Sequence, residues 1–176
     1  MRRRTLGALA GAMVLTIATA IPAGASPPHF LVDPTIGDFA PVTLNGAPQL
    51  TSAAMTPFVV IDDSGLGLGW NVTLEVDDFM NGTGPGCSTS PTATIPASTL
   101  SMDAPTVVPD DGGTTIDGVT SAGFTDFTTA RTIIAATPTN GAGTYDVSPA
   151  PLRLVIPPDA YAGTYCALAT ISITTP

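Results

Sequence analysis

The side chains that could do chemistry are few. His29 is the only histidine, there is no lysine, and the cysteines are Cys87 and Cys166. Nucleophilic catalysis needs a base beside the nucleophile. One histidine and no lysine leave almost no material for Ser-His or Ser-Lys pairs, and His29 reads as a solvated residue near the N-terminus of the exported chain. Carboxylates are plentiful: Asp62, Asp63, Glu75, Asp77, Asp78, Asp110 and Asp111 come in neighbouring groups. Two carboxylates alone can hydrolyse a glycosidic bond, but adjacent acids in turns are ordinarily solvated caps. The same oxygen-rich loops offer hard ligands for calcium. None has the spacing of an EF-hand loop, so no metal and no cofactor is assigned. The expectation is a protein that is not an enzyme.

Trp70, the only tryptophan, offers a different chemistry. It follows Asp62-Asp63-Ser64-Gly65-Leu66-Gly67-Leu68-Gly69, a turn with glycine at every second position. It opens a stretch in which Trp70, Val72, Leu74 and Val76 alternate with Asn71, Thr73, Glu75 and Asp77. That period of two marks a half-buried strand. Trp70 is then either a core residue, packed on a face made by Tyr165, Ile171 and Ile173, or a sugar-stacking platform freed by the glycines before it. Trp70, Asn71 and Thr73 are the candidate ligand-binding residues, with Glu75 beside them on the outer face.

The elements that must position these residues read as β throughout. Short strands are expected at Pro41–Leu44, closed by the turn Asn45-Gly46, and at Phe58–Ile61, Ser98–Met102, Thr132–Ala136, Tyr145–Ser148 and Leu152–Ile156. One long final strand is expected over Thr164–Thr174. Phe58–Ile61 and the Trp70 strand are expected to be hairpin neighbours across the glycine turn. Ser26–Asp38 reads as a lead-in, Phe79–Pro91 as a loop, and Asp103–Gly118 as a long polar connection; Phe124 and Phe127 are expected to cover a core edge. No stretch has helical periodicity. Short strands between Gly, Pro and Asn turns argue an all-β, Ig-like β-sandwich.

The N-terminus reads as an export signal. Arg2, Arg3 and Arg4 precede an apolar run over Leu6–Ile21, then the small-residue site Ala23-Gly24-Ala25. Cleavage is expected after Ala25, giving residues 1–25 as signal peptide and 26–176 as a single domain. An uncleaved anchor is the alternative; the residues after the arginines do not fit a twin-arginine signal. Export favours a disulfide between Cys87 and Cys166 over two free thiols. Beyond the signal, the fourteen acidic residues face only Arg131 and Arg153, a net charge of about −12. Bulk charge of this sign excludes nucleic acid and anionic lipid as partners, and no membrane association is expected once the signal is gone.

Two motifs resemble the WxL surface-domain family of Gram-positive bacteria. The first is Asp62 to Thr73, similar to that family's acidic, glycine-spaced turn running into Gly-Trp-x-Leu-Thr; its key positions are Asp62, Gly65, Gly67, Gly69, Trp70 and Val72. The second runs from Ile156-Pro157-Pro158 through Ala162-Gly163-Thr164-Tyr165 to Ile171, Ile173 and Pro176. Val72 stands where the first motif has leucine, and Ile171-Ser172-Ile173 stands where the second has Trp-x-Leu. The resemblance covers roughly Asp33 to Pro176. It implies a secreted, noncatalytic cell-surface module, held noncovalently on peptidoglycan or another cell-wall polymer. A secreted structural or protein-interaction domain that does not touch the wall is the alternative, with other surface proteins as its partners. The sequence carries no Leu-Pro-x-Thr-Gly sorting signal and no lipid-bearing cysteine after the signal, in keeping with noncovalent attachment.

Overall fold

A computed structural model describes residues 26–82, 93–110 and 118–176. The expected signal peptide, residues 1–25, lies outside them, as do Cys87 and Asp111. The strands in chain order are β1 (His29–Val32), β2 (Gln49–Ala53), β3 (Phe58–Asp62), β4 (Trp70–Val76), β5 (Phe79–Asn81), β6 (Thr94–Ile95) and β7 (Leu100–Met102). There follow β8 (Thr106–Pro109), β9 (Val119–Ser121), β10 (Arg131–Ala136), β11 (Gly143–Ser148), β12 (Leu152–Ile156), β13 (Tyr165–Cys166) and β14 (Ala169–Thr174). The one helical turn among the described residues is a 3₁₀ turn, Ala97–Thr99. All pairings are antiparallel, in sheets ordered β1-β3-β11-β8, β14-β4-β10-β9, β2-β12-β7 and β13-β5-β6. The protein is all-β, with the layered antiparallel sheets of a β-sandwich; the strand order does not single out the Ig-like variant.

One apolar core joins the sheets. Phe58, Val60, Tyr145 and Val147 meet Trp70, Val72, Leu74 and Ile134, with Leu100, Met102, Leu152 and Leu154 completing it. In β4 the even positions are buried, Asn71 and Thr73 are half-buried and Glu75 is exposed. That is the pattern its alternation predicts. In β10 the register slips between Thr132 and Ile134. The extra residue puts both Ile133 and Ile134 into the core, which a strict period of two would forbid. Phe127 is fully buried, and Phe124 packs edge-on to it with the rings 6.1 Å apart.

Several expectations are corrected. Pro41–Leu44 forms no strand. Val42 and Leu44 do turn inward, but the nearby polar groups are spent otherwise: Thr51 Oγ1 donates to the Ala40 carbonyl at 2.6 Å, and Ala40 N–H donates to the Ser52 carbonyl. β12 pairs with β2 and β7. β3 and β4 are not a hairpin: β3 pairs with β1 and β11, β4 with β10 and β14. The glycine turn therefore carries the chain from one sheet to another. The final strand is broken. Tyr165 and Cys166 pair with Asn81 and Met80, whereas Ala169–Thr174 pair with Val76–Asn71. The break mirrors its partner, since β4 ends at Val76 and β5 begins at Phe79, with Asp77 N–H donating to the Leu168 carbonyl between them. The supposed polar connection contains β8, and the lead-in contains β1, whose pairing with β3 places His29 in a ladder opposite Ile61.

Candidate functional site

The glycine turn works by handedness. Gly65, Gly67 and Gly69 have φ of 65°, 59° and 77°, values a side chain disfavours. At Gly69 the objection is also steric: a Cβ would lie 2.3 Å from the Ala136 carbonyl oxygen. The turn is docked by Thr139 N–H donating to the Gly67 carbonyl at 2.7 Å. Asp62 is almost fully buried and its Oδ1 accepts the Ser64 N–H at 3.1 Å. The acid at the head of the motif thus closes the turn.

Trp70, delivered by this turn, is 0 % exposed. Its Nε1 donates to the Gly141 carbonyl at 2.9 Å, and its ring meets that of Tyr145 edge-on at 5.7 Å between centroids. A ring with no exposed surface cannot stack on a sugar, so Trp70 is removed from the ligand-binding candidates. Its cover is also different from the expected one. Ile171 and Ile173 lie beside β4, opposite Leu74 and Val72 in register, while the ring packs toward β11. Gly141 was not visible as a motif residue. A Cβ there would lie 2.8 Å from Trp70 Nε1, and its φ of 81° suits glycine. The turn signal Asn140-Gly141 was present in the sequence, but only the fold links it to Trp70.

Asn71 and Thr73 do lie on an accessible face. In register across β14 and β4, Thr174 stands beside Asn71, Ser172 beside Thr73 and Thr170 beside Glu75. On the other side Thr132 stands beside Thr73. Thr73 Oγ1 and Ser172 Oγ share a hydrogen bond of 2.7 Å. The result is a sheet face of hydroxyls and an amide beside the acid Glu75. Such groups both donate and accept. They suit a ligand rich in hydroxyls and amides.

The second motif is brought against the first. Ile171 and Ile173 become cross-strand partners of Leu74 and Val72, although about a hundred residues separate them in the chain. Gly163 is exposed and is not crowded, the nearest atom to a Cβ there being 3.9 Å away. Tyr165 is half-buried and donates from its hydroxyl to the Tyr161 carbonyl at 3.1 Å. It lines two adjoining clefts of about 700 and 490 Å³. Phe39, which borders both, and the exposed Tyr161 are surface features that the motifs did not mark. Cys166 Sγ sits 3.8 Å from the Met80 carbonyl oxygen; its expected partner, Cys87, lies outside the described residues.

Elsewhere the carboxylates have local duties. Asp78 Oδ1 accepts the Ala97 N–H at 2.8 Å, fixing the 3₁₀ turn. Asp126 pairs with Arg131, whose hydrogen bond holds the Asp126 carboxyl below its usual range despite some opposing desolvation. His29 Nδ1 lies 3.0 Å from the Pro27 carbonyl oxygen. Among the described residues, no three His, Cys, Asp or Glu side chains gather as a metal site. No helix of the described residues is long and apolar enough to cross a membrane. No family model, no curated protein and no solved structure matches the chain. The resemblance to the WxL family therefore rests on the two motifs themselves.

Proposed function

We propose that the protein is an exported, noncatalytic surface module that associates noncovalently with a cell-wall polymer, peptidoglycan being the expected ligand. The observation that carries the reading is the outer face of β4 and β14. It is held by two neighbouring strands and lined by Asn71, Thr73, Thr170, Ser172 and Thr174. A glycan carrying hydroxyl and amide groups finds matching donors and acceptors there. Attraction through net charge is not available, because the chain is acidic, with a net charge of −9, and wall polymers are largely anionic. Binding through directed hydrogen bonds survives salt, whereas electrostatic adhesion is screened within about 8 Å at physiological ionic strength. Cosedimentation with purified sacculi tests this. Pelleting should persist, or strengthen, as monovalent salt rises. Release by moderate salt would point to charge-driven adhesion and against the proposed face.

The alternative, a protein-interaction domain away from the wall, draws support from a separate feature, the free edge of β14.

A further inference from the structure

The sheet β14-β4-β10-β9 ends on β14, and no described strand pairs with its other side. The register says which backbone groups are left over. Asp77 N–H donates to the Leu168 carbonyl, and Ala169 stands opposite Val76. The hydrogen-bonded positions are therefore Leu168, Thr170, Ser172 and Thr174. In an antiparallel pair the intervening residues aim their N–H and C=O groups the other way. Those of Ala169, Ile171 and Ile173 thus point to the open side.

Edge strands are normally blunted by charges, proline or a bulge. β14 reads Ala-Thr-Ile-Ser-Ile-Thr and has none of the three; its register with β4 is unbroken. Beside the edge lies the cleft of about 700 Å³, lined by Ala169 and Ile171 of β14, by Ile36 and Phe39, and by the buried Val76 and Leu100. One exposed acid, Asp38, lines it, on a chain of net charge −9. An open ladder and a cleft that offers Ile36, Phe39 and Ile171 beside the acid Asp38 form one surface.

We propose that the β14 edge and this cleft take an extended segment of another protein as an added strand, one with apolar side chains at alternate positions and lysine or arginine at its flanks. The free N–H and C=O groups supply sequence-independent bonds. Every second side chain of the guest enters the cleft, and Asp38 with the chain's overall negative charge selects the basic flank. A second copy of this chain is the poorer guest. It carries the same charge of −9 and would be repelled by this one. The inference is independent of wall binding, which uses the face of the sheet and not its edge.

The test uses the purified protein and fluorescent peptides: one of alternating threonine and valine flanked by lysines, a second of the same composition with the valines made contiguous, and a third flanked by glutamates. The first should bind one to one. The other two should bind about tenfold more weakly, the general scale of losing about 1.4 kcal/mol. N-methylation at alternate peptide bonds should abolish binding without touching the protein. Ala169→Pro removes only an outward N–H, a place where edge strands tolerate proline, and should also abolish it. Asp38→Lys should narrow or reverse the preference for the lysine flank. Equal binding of the alternating and contiguous peptides, or full binding of the N-methylated one, would overturn the proposal. So would a protein that sediments as a dimer through β14 without peptide, or displacement of the peptide by soluble wall fragments.

Discussion

At the scale of single residues, the side chain with most at stake is Trp70. It is enclosed, donates one hydrogen bond to Gly141 and meets Tyr145 edge-on. Trp70→Ala should destabilise the fold by about 3–5 kcal/mol, read from urea unfolding. Trp70→Phe keeps much of the apolar contact but leaves the Gly141 carbonyl without its donor, a cost of about 1–3 kcal/mol. Native emission should be blue-shifted; a maximum typical of free indole in water would contradict the enclosure. Thr139 is the reverse case. It is the one described non-glycine residue at positive φ, 71°, it is exposed, and its β-branched side chain disfavours that region. Thr139→Gly keeps the N–H that docks on Gly67 and should stabilise the fold by about 1 kcal/mol. Asp126 sets a pH dependence of known sign. Its carboxyl is held low by Arg131, so the pair's contribution is present above the unfolded carboxylate pKa and is lost as pH falls through the lower, folded value. Titration followed by NMR should place the Asp126 midpoint below that of Asp126 in the Arg131→Gln variant.

At the scale of elements, the glycine turn separates conformational cost from collision. Gly65 is at positive φ with no atom within 4 Å of an added Cβ, whereas a Cβ on Gly69 would meet the Ala136 carbonyl at 2.3 Å. Gly65→Ala should therefore cost about 1–2 kcal/mol, and Gly69→Ala more than that, since backbone must move as well. Equal midpoints in thermal unfolding would refute the distinction. This turn also marks what sequence could and could not convey. Its glycine spacing, and the alternation of Trp70, Val72, Leu74 and Val76, were legible because handedness and period are local properties. That the turn crosses between sheets was not, because pairing depends on the side chains that arrive from β10, β11 and β14. Pro41–Leu44 has an alternating pattern but lacks a partner, so its inward side chains are not matched by a ladder. The final strand looked continuous because its own residues give no sign of the break. The break is imposed by the gap between β4 and β5. At the candidate site, Asn71 and Thr73 were legible as an outer face. Ser172 and Thr174 joined them only once β14 was aligned beside β4.

At the scale of the whole molecule, the proposed role outside the cell turns on an expected staple and a surface. Cys87 and Cys166 are the only cysteines. The expected bridge would stabilise the fold by roughly 4 kcal/mol on the chain-entropy view. Thiol titration of the unfolded, unreduced exported protein should find no reactive thiol; two per chain would reject the bridge. The surface is the hydroxyl-lined face of β4 and β14, and binding a wall polymer through it is the central claim. The most direct measurement is cosedimentation of the folded protein with purified peptidoglycan sacculi, beside Asn71→Ala and Ser172→Arg variants whose unfolding midpoints match the parent. The parent should pellet at low and high salt, with and without calcium. The variants should pellet about tenfold less well, as expected when hydrogen bonds worth about 1.5 kcal/mol are lost. A folded parent that stays in the supernatant under every condition, or variants that pellet like the parent, would contradict it.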